Sequence, residues 1–206
     1  LALEVFTRSG SEQQPLAVCD DGRPASILFC NPPACRRGVC AVMPVAAARA
    51  LAHDLRVCSR SLQAEADALH SLAAWAYQFS SQVSLYPPFA LLLEVRRSLT
   101  LFGGYTALLG RIRAGLRELG YQTRMAAAPT PLAAVGLACC ESEQHVETPA
   151  ALLGALAPLP LSVLDWEQSL LDRLHGVGVQ RLGDLLCLPR DGLARRLGPD
   201  RVLYLD

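Results

Sequence analysis

Residues 84–95 read SLYPPFALLLEV. Pro87 and Pro88 each lack a backbone donor and so end regular structure, and the run FALLLEV behind them is apolar at nearly every position. A continuous apolar run, as opposed to an alternating one, describes a strand covered on both faces. The expectation is a central sheet strand entered at Phe89.

The flanking stretches extend that reading. Upstream, Leu62, Ala66, Leu69, Ala73, Ala76 and Phe79 recur at three- and four-residue intervals, which predicts a long amphipathic helix over 62–79. Before it, residues 15–58 mix short apolar runs (PLAV, SILF) with Gly, Pro and Asp turns and carry a helical stretch over 45–53, the pattern of a small α/β unit. Downstream, residues 105–119 have helical periodicity and stop at Gly120, which suits a left-handed C-terminal cap. QTRMAAAP (122–129) reads as a strand, a helix begins near Pro131, an acidic linker spans 141–147, and a short helix leads to LAPLPL (156–161). That Pro-rich stretch is the expected domain boundary. Beyond it, WEQSLLDRL, RLGDLLCL and GLARRLG form a compact helical module with turns at GVGV and PRD.

At 206 residues and 51% hydrophobic, the chain can bury the core of one large domain or of two to three small ones. No uninterrupted apolar stretch reaches the ~18 residues of a membrane span. The opening LALEVFTRSG lacks the pattern of a secretory signal, so a cytoplasmic protein without membrane contact is expected. It also begins inside an apolar run, which suggests residues upstream of Leu1. Positive and negative charges balance at 19 each, whereas nucleic-acid-binding domains are usually clearly basic, so strong autonomous DNA binding is not expected. All 19 basic residues are Arg, leaving no lysine ammonium to grip a triphosphate. Of the eight cysteines, Cys30, Cys35 and Cys40 recur every five residues and Cys139 and Cys140 are adjacent, spacings that do not match structural zinc knuckles. Neither a metal nor another cofactor is expected, and the thiols read as reduced and mostly buried.

Four stretches in order resemble the Y-family translesion DNA polymerases over nearly the whole chain. They are CNPPACRRGVCAVMP (30–44), SLYPPFALLLEV with its preceding helix, MAAAPTPLAAVGLA (125–138) and LDRLHGVGVQRLGDL (171–185). LEVFTRS (3–9), LLLEVRRSLTLFGG (91–104) and APTPLAAVGLA (128–138) are similar in particular to the non-catalytic ImuB branch of that family. The resemblance implies an α/β (α+β) right hand: a palm with a mixed sheet and helices, small α/β fingers, and a helical thumb of helix-hairpin-helix type. It places the N-terminal palm edge and fingers at 1–58, the palm at 59–157 and the thumb at 158–206. A little finger and a clamp-binding tail are expected beyond Asp206.

Active polymerases of this kind hold two metal ions, roughly 3.5–4 Å apart, on carboxylates. The resemblance aligns the paired acids of the Ser-Leu-Asp-Glu motif with Phe89 and Ala90, so the metal-binding pair is replaced; Glu94 matches a later position on the strand that is not one of the pair. The fingers Tyr and Arg that meet the nucleotide fall at Pro32 and Cys35, with Arg36 and Arg37 read as a solvated pair. The palm Lys that follows an Ala-Pro step falls at Pro131. No catalytic, nucleotide-binding or metal residue is therefore expected. The first thumb turn is replaced by Asp165-Trp166-Glu167, whose carboxylates repel phosphate, with Asp165 read as an N-cap of the next helix. Gly176, Gly178 and Arg181 are the candidate DNA contacts.

The function this implies is an adaptor in damage-induced translesion synthesis and mutagenesis. Its implied partners are an error-prone replicative-type polymerase, a RecA-like accessory protein, the sliding clamp through a region beyond residue 206, and DNA bound weakly without sequence preference. Two other classes remain: a divergent but active translesion polymerase, which predicts an acid pair near Phe89, and a plain DNA-binding module, which predicts a basic chain with an intact Gly-x-Gly turn.

Overall fold

The computed structural model describes residues 1–7, 14–140 and 144–205; Arg8 and Ser9 of LEVFTRS and residues 141–143 of the expected acidic linker lie outside the described residues. The chain forms two compact units, Leu1–Thr123 and Arg124–Asp206.

The first unit opens with the short helix α1 (Glu4–Thr7). PLAV supplies strand β1 (Leu16–Cys19) and SILF supplies β2 (Ile27–Cys30). A third strand, β3 (Arg56–Ser59), completes a mixed sheet of order β2-β1-β3, with β1 antiparallel to β2 and parallel to β3. Every residue of the central strand β1 is buried. The connection from β2 to β3 carries helices α2 (Pro32–Cys35) and α3 (Val45–Leu51), and Ala34 and Ala48 from them join Ala17, Cys19 and Ile27 in one apolar core. This is the expected small α/β unit. The Asp20 carboxylate closes the β1–β2 turn, accepting from the Gly22 and Ser26 N–H groups at 3.1 and 2.8 Å.

Helix α4 (Leu62–Ala76) begins where Ser61 accepts from the Ala64 N–H at 3.2 Å. Its buried face is Glu65, Ala68, Leu69, Leu72 and Ala76, while Leu62, expected inside, is 64% exposed. The face is rotated because Glu65 can be buried. Arg60 grips both carboxylate oxygens at 2.7 and 2.9 Å and lies over the Phe29 ring, and these hydrogen bonds hold the Glu65 carboxyl below the usual carboxylate range.

Strands β4 (Val83–Tyr86) and β5 (Ala90–Leu93) form an antiparallel hairpin packed against α4, with Tyr86 opposite Ala90. The expected central strand is corrected here: among the described residues β5 pairs with β4 alone, and all four of its residues are only half-buried. Its apolar run reports the side-chain chemistry, but coverage of the second face depends on a neighbour that local sequence does not specify. The buried Ser80 hydroxyl locks the base of the hairpin, donating to the Glu94 carbonyl and accepting from the Gln82 N–H at 3.0 Å.

Gly103 and Gly104, at φ of 79° and 100°, turn α5 (Leu99–Phe102) into α6 (Tyr105–Glu118), and Gly120 beyond it has the expected positive φ of 79°. Trp75, Phe79 and Phe102 form a chain of ring contacts with centroids 5.0 and 5.7 Å apart.

In the second unit QTRMAAAP is not a strand; Ala127 makes a single parallel bridge to His145, flanked by N–H bonds from Ala127 to Gln144 and from Val146 to Ala127. Helices α7 (Pro131–Cys139) and α8 (Pro149–Leu156) follow, then a single 3₁₀ turn at Leu161–Val163. The helical module comprises α9 (Gln168–Gly176), α10 (Leu182–Leu186), α11 (Arg190–Leu197) and α12 (Pro199–Leu205). LAPLPL lies inside this unit, not between cores: Leu159 and Leu161 are buried with Leu137 and Val146 from one side of it and Leu170 and Leu185 from the other. The apolar leucines between the prolines make the segment a core element. No described helix is long and apolar enough to cross a membrane.

Helix α6 approaches α4 at Gly115, where an added Cβ would lie 2.5 Å from Cζ2 of Trp75, a ring already held by Phe79. At Gly110 of the same helix a Cβ meets nothing within 4 Å. Gly110→Ala is therefore expected to raise unfolding stability by ~0.5–1 kcal/mol through helix propensity. Gly115→Ala should instead lower it by about 1–3 kcal/mol through overpacking, as read by urea denaturation of the two variants.

Candidate functional site

Phe89 sits at the tip of the β4–β5 hairpin, at the end of the turn that begins at Pro87 and Pro88. Its ring is 55% exposed and touches Tyr86, centroids 6.3 Å apart at 67°. A three-residue turn, 87–89, holds its ring outside the hairpin. Ala90 begins β5 and is half-buried. The tip thus carries an aromatic ring and a methyl group, neither able to ligate a hard cation. Glu94 is exposed just beyond β5, its carboxylate accepting from the Arg96 N–H at 3.0 Å.

Pro32 and Cys35 share the single turn α2, which Asn31 organises. The Asn31 side-chain oxygen accepts from the N–H groups of Ala34 at 3.1 Å and Leu16 at 3.0 Å, and its amide donates to the Gln14 carbonyl at 2.8 Å. Asn31 is 6% exposed, so those bonds replace water that it has lost. Sequence reasoning missed this residue, although Asn before two prolines is a helix-start signal. Arg37 pairs with Asp54 at the exposed surface and Arg36 is the C-cap of α2, in keeping with the reading of a solvated pair. The Cys35 sulfur lies 3.3 Å from that of Cys30, a proximity that five-residue spacing alone did not reveal.

The remaining candidates belong to the second unit. Pro131 is the exposed first residue of α7, capped by the Thr130 hydroxyl, which accepts from the Ala133 N–H at 3.4 Å. Asp165 is not an N-cap: α9 starts three residues later at Gln168, with Glu167 as its N-cap residue and no capping side chain. Asp165 and Glu167 are exposed, while Trp166 packs on the unit's core and draws the helix start away from Asp165.

Gly176 ends α9, and Gly178, at φ 89°, turns the chain toward α10. The N–H groups here are used internally. Val177 and Val179 donate to the Leu174 carbonyl and Gly178 to that of His175, while Gln180 and Arg181 both donate to one Asp184 carboxylate oxygen at 2.9 Å. Leu182 and Gly183 donate to the carbonyls of Leu159 and Ala157. Asp184 therefore supplies the negative charge at the start of α10, and the backbone bonds from Arg181 and Gln180 hold its carboxyl below the usual range. Arg181 is exposed as the N-cap residue of α10. Gly176, Gly178 and Arg181 thus come together in one hairpin, and Asp184 is the member of it that sequence reasoning missed. Among the described residues no three His, Cys, Asp or Glu side chains group to hold a metal.

Two outcomes follow from this geometry. Phe89 is exposed but its ring meets Tyr86, and Ala90 is half-buried in β5, so the double substitution Phe89→Asp, Ala90→Glu is expected to lower unfolding stability by about 1–2 kcal/mol in urea denaturation. Asp184→Ala should lower the urea midpoint at pH 7. The folded carboxyl is depressed below its reference value of 3.8, so its contribution is fully present above that value and lost as pH falls through the folded value. The gap between variant and parent should accordingly close at acid pH.

A family model described as "IMS: impB/mucB/samB family" matches residues 3–137. The chain is 33% identical over 159 residues to Protein ImuB of Caulobacter vibrioides, in strains NA1000 / CB15N and ATCC 19089 / CIP 103742 / CB 15, covering 77% of this chain but 35% of those relatives. The fold is similar to the crystal structure of DinB from Sulfolobus solfataricus, with a TM-score of 0.70 at 19% identity over 98% of this chain and 61% of that one. It is similar also to a post-insertion binary complex of Dbh DNA polymerase, with a TM-score of 0.74 at 21% identity and the same coverage. The chain thus spans about a third of the curated relatives' length and three-fifths of those solved chains. With a family match over most of its length and a mixed sheet and hairpin combined with helices, the chain belongs to the impB/mucB/samB family and has the Y-family polymerase fold.

Proposed function

We propose that this chain is the polymerase-shaped core of a non-catalytic adaptor in damage-induced translesion synthesis and mutagenesis. The observation that supports the reading is the β4–β5 hairpin tip, which presents Phe89 and Ala90 and no carboxylate at the positions that the resemblance aligns with the paired metal-holding acids. Phosphoryl transfer relies on positioning and charge neutralisation by metal ions, and a phenyl ring and a methyl group offer neither. Pro32, Cys35 and Pro131 support the same reading, because none of them supplies the positive charge or donor that a triphosphate needs.

In this role the scaffold presents surfaces to an error-prone replicative-type polymerase and to a RecA-like accessory protein, and it reaches the sliding clamp through a region beyond residue 206. Its own hold on DNA is weak, nonspecific and made by Arg side chains such as Arg181, since the hairpin N–H groups are already bonded. It works in the cytoplasm, needs no cofactor and makes no membrane contact.

The test is primer extension with purified protein on a primed template in Mg²⁺ or Mn²⁺. The expected outcome is no nucleotide addition above a mock preparation. Template-dependent extension would instead favour a divergent active translesion polymerase.

A further inference from the structure

We propose that Cys30 and Cys35 form a dithiol modification site that hydrogen peroxide converts to an intramolecular disulfide. Their sulfurs lie 3.3 Å apart, inside ordinary van der Waals separation, at the end of β2 and the end of α2. A disulfide needs ~2.05 Å, so closure requires a movement of little more than an ångström. The backbone between them is already folded back: the Cys35 N–H donates to the Asn31 carbonyl at 3.0 Å, and the buried Asn31 side chain fixes the turn. Cys35 is exposed and Cys30 half-buried, which gives one sulfur open to the oxidant and one behind it. A pair kept only as small apolar side chains would bury both.

The chemistry divides between the two thiols. Cys30 donates its S–H toward the Val39 carbonyl at 3.4 Å, and burial, then the neighbouring Cys35 and Cys40, push its thiol up to about 11. Cys30 therefore keeps its proton at neutral pH, and Cys35, the exposed sulfur of the two, is the thiol oxidised first. The Cys35 sulfur attacks one peroxide oxygen; the S–O bond forms, the O–O bond breaks, and the distal oxygen leaves as water, giving a sulfenic acid. The Cys30 sulfur then attacks the Cys35 sulfur. The S–S bond forms, the S–O bond breaks, and the hydroxyl departs as water with the Cys30 proton. Two thiols lose two electrons and two protons, and the peroxide is reduced to two waters. Cys40, also exposed, lies near enough to Cys30 to affect its proton and is the competing partner. The inference stands whether or not the scaffold is catalytic.

The experiment treats the purified chain with hydrogen peroxide, blocks remaining thiols with N-ethylmaleimide, and reads digested peptides by mass spectrometry. The expected result is loss of two of the eight maleimide additions, with the peptide that contains both Cys30 and Cys35 two hydrogens lighter and restored by dithiothreitol. In Cys30→Ser, Cys35 should persist as a sulfenic acid trapped by dimedone. Full alkylation of both residues after peroxide, a Cys35–Cys40 link, or oxidation of Cys35 past sulfenic acid in the unaltered protein would overturn the proposal.

Discussion

The side chain of Asn31 is where strand, turn and helix of the first unit are joined. Its oxygen takes the Leu16 and Ala34 N–H groups, its amide reaches Gln14, its backbone N–H bonds Leu16, and its carbonyl accepts from Cys35. Losing one partner would leave a buried polar group unsatisfied, at a cost of about 1–3 kcal/mol. That constraint fixes β1 beside β2 and sets α2 where it stands, and so decides where Pro32 and Cys35 are presented. The same local logic recurs in the second unit, where one Asp184 oxygen gathers two N–H groups and holds the hairpin that carries Gly178 and Arg181.

The chain keeps the Y-family polymerase fold, and the adaptor reading rests on the residues it presents at the positions matched by resemblance. The residues proposed as replacements at the hairpin tip, in α2 and at the start of α7 have one feature in common. Each residue serves the local backbone: Pro32 and Pro131 open helices as residues with a fixed φ and no donor to satisfy, and Phe89 closes a turn beside Tyr86. Such residues stabilise a scaffold without contributing charge to a site. Fold alone says nothing of activity, and that distinction underlies the adaptor reading.

Local signals were readable in the sequence where a proline or a glycine enforces one backbone geometry. Gly120 has the positive φ expected at a helix end, α7 begins at Pro131, and PLAV and SILF became neighbouring strands. What depends on distant partners was not readable. FALLLEV shows its apolarity but not that β5 pairs with β4 alone among the described residues, and Glu65 reads as a surface acid until Arg60 is seen across its carboxylate. Asp165 has a capping side chain, but Trp166 packing moved the helix start past it. QTRMAAAP has strand-like residues but pairs, among the described residues, through a single bridge. The site positions were assigned by resemblance, whereas the exposure of Phe89 and the closeness of Cys30 to Cys35 are properties of turn geometry.

The most direct measurement of the central claim is calorimetric titration of a correctly paired deoxynucleoside triphosphate with Mg²⁺ into the protein bound to a primed template. Without metal-holding acids or a cation for the phosphates, no saturable heat is expected at nucleotide concentrations up to the millimolar range, on the order of 4 kcal/mol of binding free energy. Saturable, Mg²⁺-dependent binding with a micromolar Kd would contradict the account, because it would require ligands for metal and triphosphate that Phe89, Ala90, Pro32, Cys35 and Pro131 do not provide.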